Sequence, residues 1–393
     1  MPSVRFVDSA AQIPQALWSA CFPPPLEGFW WYRTLESAGL EDQFTFAYAV
    51  IEDEAEPVGI APVFAMNLPL TVMLPDALQP LAAFFARLAP SLMRPRTLFL
   101  GSPCADEGSV GLSAHVDRKA VLLRLQDALE RKAAELGAGI LVWKDFPSSY
   151  DEDLAALAAG RRLFRMVSFP GTLVALPSRK DDYFAALTLS RRQNLRRKLR
   201  RSAEQVEVET QAIQRPDART IEEIFALFWQ TYQRATTKFE RLNRRFFELI
   251  ATEPVSHFII LREKRSGEML AFMLCFLTGD RVINKFIGLD YRRPPKWFLY
   301  DRLWDAAVDW ALARGAVSIQ SGQTGYSGKL ATGHRLVPLN SYVRHRNVAV
   351  HALYRAVARN IGWQTLDRDL ALHLSAHPGD MDGDGTARIK PTE

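Results

Sequence analysis

Apolar positions along this chain follow two rhythms, one of 3.6 residues and one of 2, and each predicts an element. "QIPQALWSACF" and "FWWYRTLESAGL" carry helical spacing. "FTFAYAVIEDE" and "PVGIAPVFAM" read as two strands joined by an acidic turn, and "RTLFLGSP" as a third. In "HVDRKAVLLRLQDALERKAAELG" Val121, Leu125, Leu129 and Ala133 fall on one helical face, and Gly137 supplies the stop. "AGILVWKDFP" follows as a buried strand, then "SSYDEDLAALAAG" as a helix whose early acids suit the positive end of its dipole.

The second half repeats this logic. "RMVSFPGTLVAL" predicts one strand, "KDDYFAALTLSRRQNLRRKLRRSAEQ" one long helix, and "VEVETQAI" a strand with period-two alternation. Two helices, "ARTIEEIFALFWQTYQRAT" and "NRRFFELIATE", lead into three strands with turns at "KRSGE" and "TGD". The linker "YRRPPKW", the helix "FLYDRLWDAAVDWALARG" and the strand "AVSIQSG" complete the order. The shared order predicts two similar α/β units packed together, 1–160 and 161–372, each a mixed, mostly antiparallel sheet flanked by helices. Residues 373–393 are polar and Gly/Asp-rich and are expected to be disordered.

Composition narrows the classes. A net charge of +5 is small for a dedicated nucleic-acid binder. Cys21, Cys104 and Cys275 are odd in number and far apart, so neither a disulfide framework nor a zinc site is expected, and a reducing cytoplasm fits. The first residues lack the pattern of a signal peptide. Pro57–Ala86 carries Asp76 as its single charge, but five prolines break it. It reads either as a buried hairpin with a covering helix or as an acyl-chain tunnel or membrane-docking lip.

Charge concentrates instead in "SRRQNLRRKLRRS", which packs seven Arg or Lys between Arg191 and Arg201. On a helical period Phe184, Leu187 or Thr188, Leu195 and Leu199 form a narrow apolar stripe, and the cations face outward. Without interleaved aromatics to stack bases, the helix suits anionic headgroups or the phosphates of a cosubstrate better than nucleic acid. "DMDGDGTARIKP" imitates the start of a calcium loop but has Pro391 where the bidentate Glu belongs. The histidines are scattered, and no metal is expected.

Two stretches carry a family resemblance. "DDYFAALTLSRRQNLRRKLRRS" is similar to a pattern of an aromatic, a short apolar helix, Ser-Arg/Lys and a basic repeat. "SGQTGYSGKLATGHRLVPLNSYVRH" places Gln323, Lys329, Gly333, Pro338 and His345 on a Gly-Gln…Lys…Gly…Val-Pro…His pattern. Both resemble the FemAB-like group of tandem Gcn5-related N-acetyltransferase (GNAT) proteins. That group includes peptidoglycan aminoacyltransferases and bacterial ceramide-synthase-type lipid N-acyltransferases. The resemblance covers the second half by motif and the first by element order. It implies an acyl-CoA donor and an amine acceptor.

Acyl transfer to an amine needs a base, oxyanion donors and an acid for the leaving thiolate. On that expectation His334 is the base, Tyr326 the acid, and Lys329 a further catalytic group in the loop. Gln323, Asn284, Lys285 and His345 are expected to bind substrate, since one of the adjacent polar pair Asn284 and Lys285 must face inward. Where a GNAT places a glycine-rich phosphate loop, this chain has "YRRPPKWF", whose prolines offer no N–H. Arg292, Arg293, Lys296 and Trp297 are therefore expected to meet the cosubstrate's phosphates by side chain. The acceptor is expected to be a lipid-like amine, with the 190–202 helix on an anionic membrane surface at the inner face of the cytoplasmic membrane. The alternative is an aminoacyltransferase that uses aminoacyl-tRNA to extend a peptidoglycan peptide, which predicts salt-sensitive tRNA binding.

Overall fold

A computed structural model describes residues 2–69, 94–113, 116–161, 163–235, 238 and 240–377, and its strands form two sheets. The first opens as an antiparallel meander of β1 (Ser3–Val7), β2 (Thr45–Asp53), β3 (Glu56–Asn67) and β4 (Arg96–Leu100). Helices α1 (Gln15–Cys21) and α2 (Phe29–Ser37) separate β1 from β2, and a two-residue β5 (Gly111–Leu112) pairs with β3. Helix α3 (Arg118–Glu135) then returns the chain to β6 (Ile140–Pro147), which lies parallel to β4 and leads into α4 (Asp151–Arg161). Val121, Leu125, Leu129 and Ala133 of α3 are buried, as their spacing predicts.

After two strands and two helices that belong to the join between the units, the second sheet repeats the plan. Its meander is β9 (Val208–Ile213), β10 (Ser256–Glu263), β11 (Met269–Thr278) and β12 (Arg281–Leu289).

The join begins with β7 (Phe164–Val167) and β8 (Gly171–Ala175), followed by α5 (Lys180–Ala186) and α6 (Leu189–Gln205). Helices α7 (Ala218–Arg234) and α8 (Arg244–Ile250) separate β9 from β10 as α1 and α2 separate β1 from β2. Helix α9 (Leu299–Ala313) leads to β13 (Ser318–Ser321), parallel to β12. This is the α/β architecture that the resemblance implied, two mixed, mostly antiparallel sheets flanked by helices.

The two sheets exchange strands. "RMVSFPGTLVAL" is two strands rather than one, because β7 joins the first sheet and β8 the second. Pro170, between them, has no N–H for a ladder. The exchange is returned after helix α10 (Tyr326–Ala331). There β14 (Arg335–Val337) pairs with β8, and β15 (Leu339–His345) crosses back to pair with β6 and β7. Ser168 and Ser341 hydrogen-bond at 2.8 Å where the crossings meet. The sheets therefore do not follow a single cut in the chain at residue 160. Helices α11 (Val348–Ala358), α12 (Trp363–Leu366) and α13 (Arg368–Ala376) complete the described chain, the last running past residue 373.

The basic helix differs from its expectation too. Leu187 is extended and Thr188 caps α6, its hydroxyl accepting from the Arg191 N–H at 3.4 Å, so the segment is two helices. Phe184, Leu187 and Leu195 are buried, and Arg196, Arg197, Arg200 and Arg201 face solvent. A Lys198–Asp301 ion pair at 2.9 Å and a bond from the Ser202 hydroxyl to the Trp297 carbonyl at 2.6 Å dock α6 on the start of α9.

One aromatic core spans both units, with Trp18, Trp31, Phe64, Phe246 and Phe272 buried in it. Each such side chain contributes roughly 1.5–3 kcal/mol on burial. The outer face of each sheet has its own core, beneath α3 and α4 in one unit and beneath α9 in the other. Residues 70–86 of the apolar Pro57–Ala86 segment and the calcium-loop imitation at 380–391 lie outside the described residues.

Candidate active site between the two units

Parallel pairing ends at Leu100 and Trp143 in the first unit and at Asn284 and Ser321 in the second. Beyond these ends lies a cavity of about 690 Å³, which both units line. Phe99, Leu68 and Met166 join Phe228, Phe286 and Ile361 in its apolar walls. The polar residues come from strand ends and the loops that follow. Three non-glycine residues in the lining, Cys104, Asp145 and Thr324, hold positive φ angles of 58°, 57° and 70°. Left-handed backbone of this kind is costly and concentrates where side chains must be aimed.

Both Asn284 and Lys285 line the cavity, although successive strand residues should face opposite ways. The register accounts for it. Leu274 pairs with Phe286 and Cys275 with Asn284, so Lys285 is the extra residue of a bulge. Its Nζ meets Glu27 at 2.5 Å and Asp106 at 3.5 Å, and lies 4.8 Å from the centre of the Trp31 ring. Burial works against its charge, but the two carboxylates more than offset this and raise its pKa. Lys285 thus clasps two acids of the other unit.

Lys144 behaves alike. Burial opposes its charge, Asp145 at 2.7 Å and Glu240 support it, and its pKa ends up raised. Burial pushes the carboxyl groups of Glu27, Glu107 and Glu240 upward. Glu240 accepts from the Cys104 N–H at 2.7 Å, and one buried oxygen of Asp106 has no hydrogen-bond partner among the described residues.

Lys329 stands apart from these. It lines the cavity, and its Nζ donates to the carbonyls of Gly322 and Gln323. Burial pushes its pKa down to about 8, with Asp106 opposing the shift. An amine with that pKa is partly neutral in water near neutrality and can accept a proton.

His334 is 3% exposed, and burial, helped by Lys329, pushes its pKa down to about 3. Its Nδ1 lies 2.9 Å from the Lys329 carbonyl, which can only accept, so Nδ1 carries the proton. Nε2, at 3.0 Å, then accepts from the Ser321 hydroxyl, whose oxygen takes a bond from Asn284 Nδ2 at 3.2 Å. Ser321 faces the cavity and His334 stands behind it. Among the described residues the bonded Nδ1 faces a carbonyl rather than a carboxylate, and His334 is held between that carbonyl and Ser321.

Tyr326 does not reach the cavity. It is fully buried against Leu330, Trp363 and Leu370, and its hydroxyl donates to the Pro170 carbonyl at 2.8 Å. The expected acid is therefore part of the packing. Tyr300, in the first turn of α9, does line the cavity, and burial raises its pKa. Its ring rests on Gly328, where a Cβ would come within 2.9 Å.

Gln323 lines the cavity and donates to the Phe169 carbonyl at 2.9 Å. His345 lies at the far end of β15, its Nδ1 accepting from the Asn347 N–H at 3.0 Å. Arg292, Arg293, Lys296 and Trp297 do not line the cavity. They sit ahead of α9, with Asp290 accepting from both arginines and Lys296 exposed. Ser321, Lys144, Asp106 and Glu240 are further cavity residues missed in the sequence. Only Ser321 had a signal, as the last polar residue before the glycine loop.

Among the described residues no group of three His, Cys, Asp or Glu is placed to hold a metal, and no helix is long and apolar enough to cross a membrane. Residues 177–366 match the FemAB-like family, described as peptidoglycan biosynthesis/recognition. No curated protein matches the chain. Its fold is similar to that of FemX, with a TM-score of 0.57 and 11% identity over 89% of this chain and 100% of that one. It is also similar to L-PGS from Bacillus licheniformis, with a TM-score of 0.51 and 11% identity over 82% and 92%. A conserved protein of unknown function from Bacteroides thetaiotaomicron VPI-5482 gives a TM-score of 0.52 and 14% identity over 86% and 98%.

Proposed function

We propose, for a chain that is FemAB-like over residues 177–366 and shares its fold with FemX, that it transfers an acyl group from acyl-CoA to the amine of a lipid-like acceptor. The observation that carries this reading is the cavity itself: mostly apolar walls, with a buried lysine of lowered pKa beside a hydroxyl held by His334. The acceptor amine attacks the thioester carbonyl directly. Lys329 takes the proton that the amine nitrogen releases, and the second N–H of Asn284 Nδ2, whose first is held by Ser321, donates to the oxyanion. As the C–S bond breaks, the Tyr300 hydroxyl protonates the departing thiolate. Lys285, Asp106 and Gln323 shape the polar floor around the amine. Lys296 and the outer faces of Arg292 and Arg293 meet the cosubstrate's phosphates ahead of α9, with Trp297 packed beneath them.

The acceptor is of the kind that a bacterial ceramide synthase acylates, a long-chain amino base. The protein then works at the inner face of the cytoplasmic membrane, and the exposed arginines of α6 draw it to anionic lipid. Incubation of the purified protein with acyl-CoA of several chain lengths and a long-chain amino base should yield the amide by mass spectrometry. No product at any chain length would sink the reading.

A second reading is an aminoacyltransferase acting on a peptidoglycan peptide, favoured by the description of the matched family. Under it the same cavity takes the peptide's amine, and α6 meets tRNA. Product formed only from aminoacyl-tRNA and a peptide acceptor selects it.

A further inference from the structure

From Arg335 to Asp367 the sequence contains five arginines and no acidic residue between them. Helix α11 occupies the middle of this stretch. Asn347 caps it, its side chain accepting from the N–H groups of Ala349 and Val350, so the helix is well defined at its start. It packs on the first sheet through His351 and Ala358, which are buried.

The opposite face has the wrong character for water. Val348 and Leu353 are 65% and 61% exposed, and Ala349, Ala352 and Ala356 beside them are exposed as well. At 100° per residue these five side chains form one arc, with the exposed Arg355 at one edge and the exposed Arg359, just past the helix, on the same side. An apolar stripe bordered by arginine, with no acid to repel phosphate, matches the interface of an anionic bilayer. The chain leaves the helix directly into the cavity wall. Three residues beyond the helix Ile361 lines the cavity, and Leu366 of α12 follows it there.

We infer that α11 is an interfacial helix that seats the protein on an anionic membrane and sets the mouth of the cavity against the lipid. The inference rests on the lipid reading of the cavity for its purpose, though not for its geometry. Helix α6 acts differently. Apart from Leu189 at its first position, its apolar residues are turned inward and its exposed side is charge, so it attracts at a distance and has little apolar surface to insert. Together α6 steers and α11 docks.

Co-sedimentation with vesicles of phosphatidylglycerol and phosphatidylcholine tests this, with neutral phosphatidylcholine vesicles as the comparison. The intact protein should pellet with the anionic vesicles. V348D/L353D should lose at least tenfold in vesicle affinity, while R196E/R197E/R200E/R201E should lose less and mainly at low salt. Failure of the intact protein to bind overturns the inference. So does retained binding by V348D/L353D, or an intact protein that is a dimer in light scattering and becomes a monomer in that variant. Turnover of a detergent-dispersed acceptor should be equal in V348D/L353D and the intact protein, which also shows that the variant folds. If vesicle binding behaves as expected but no acceptor is acylated, the acyl-transfer reading fails and the docking surface stands.

Discussion

Two units built on one plan diverge at two matching points. In the first unit, helix α3 opens at Asp117, whose carboxylate accepts from the Ala120 N–H at 3.1 Å. In the second, the matching helix α9 opens at Phe298, which holds a left-handed φ of 45° and offers no side-chain cap, and Arg292, Arg293 and Lys296 lie just ahead of it. Below the strand ends the first unit buries Lys144 against Asp145, and the Lys144 ammonium is held in its charged form. The second buries Lys329 against carbonyls, and its charge is released near pH 8. One half thus holds fixed charge as part of its structure. The other holds a helix end without a side-chain cap and an amine that can change protonation, the contrast on which the proposed chemistry in the second half rests.

Lys329→Met should break this contrast most severely. Removing a general base costs on the order of 10²–10⁴ in kcat, while far-UV circular dichroism should stay that of the intact protein. The base acts in its neutral form, so the rate of the intact protein should rise with pH through about 8. Residual activity in the variant should lack that rise. An unchanged profile would return the role of base to another group.

Lys144→Met should act on the other side of the contrast. It leaves Asp145 buried without its partner, which costs roughly 3–5 kcal/mol of stability and should appear as a lowered denaturant midpoint. Its rate should keep the same inflection in pH as the intact protein. Were the inflection to vanish here and persist in Lys329→Met, the assignment of the two lysines would be reversed.

How much of this was legible beforehand depends on the range of the forces involved. Local periodicity found the meanders, α3 and α9, because side-chain spacing within one element decides them. It missed the exchange at Pro170, since "RMVSFPGTLVAL" is apolar throughout and only pairing partners far along the chain divide it between two sheets. The Thr188 cap was overlooked because the apolar stripe runs in phase across the break. Lys285 was suspected, but its bulge depends on register with β11. Lys329 and Gln323 were found from their loop and do line the cavity, whereas Tyr326 shares that loop and turns into the packing. Residue type and position said which chemistry was possible, and burial decided which group could perform it.

Charge reversal ahead of α9, in R292E/K296E, should raise the KM for acyl-CoA roughly five- to tenfold with little change in kcat. Exposed charges contribute about 0.5–1 kcal/mol each at such a site. A fall in kcat with KM unchanged would remove the phosphates from this end of the helix and with them half of the contrast.

Asp117→Ala carries the smallest expected effect. Loss of an N-cap side chain costs about 1 kcal/mol of stability, readable as a small drop in the melting midpoint, and Asp117→Asn should restore most of it because an amide oxygen also caps. Neither change should alter the KM for acyl-CoA, because the first unit's helix end is closed by its own side chain and lacks the cations that precede α9. If Asp117→Ala instead tightened acyl-CoA binding, or titration calorimetry found a second equivalent of CoA on the variant, the capped end would be a suppressed donor site. The two units would then differ by one carboxylate rather than by role.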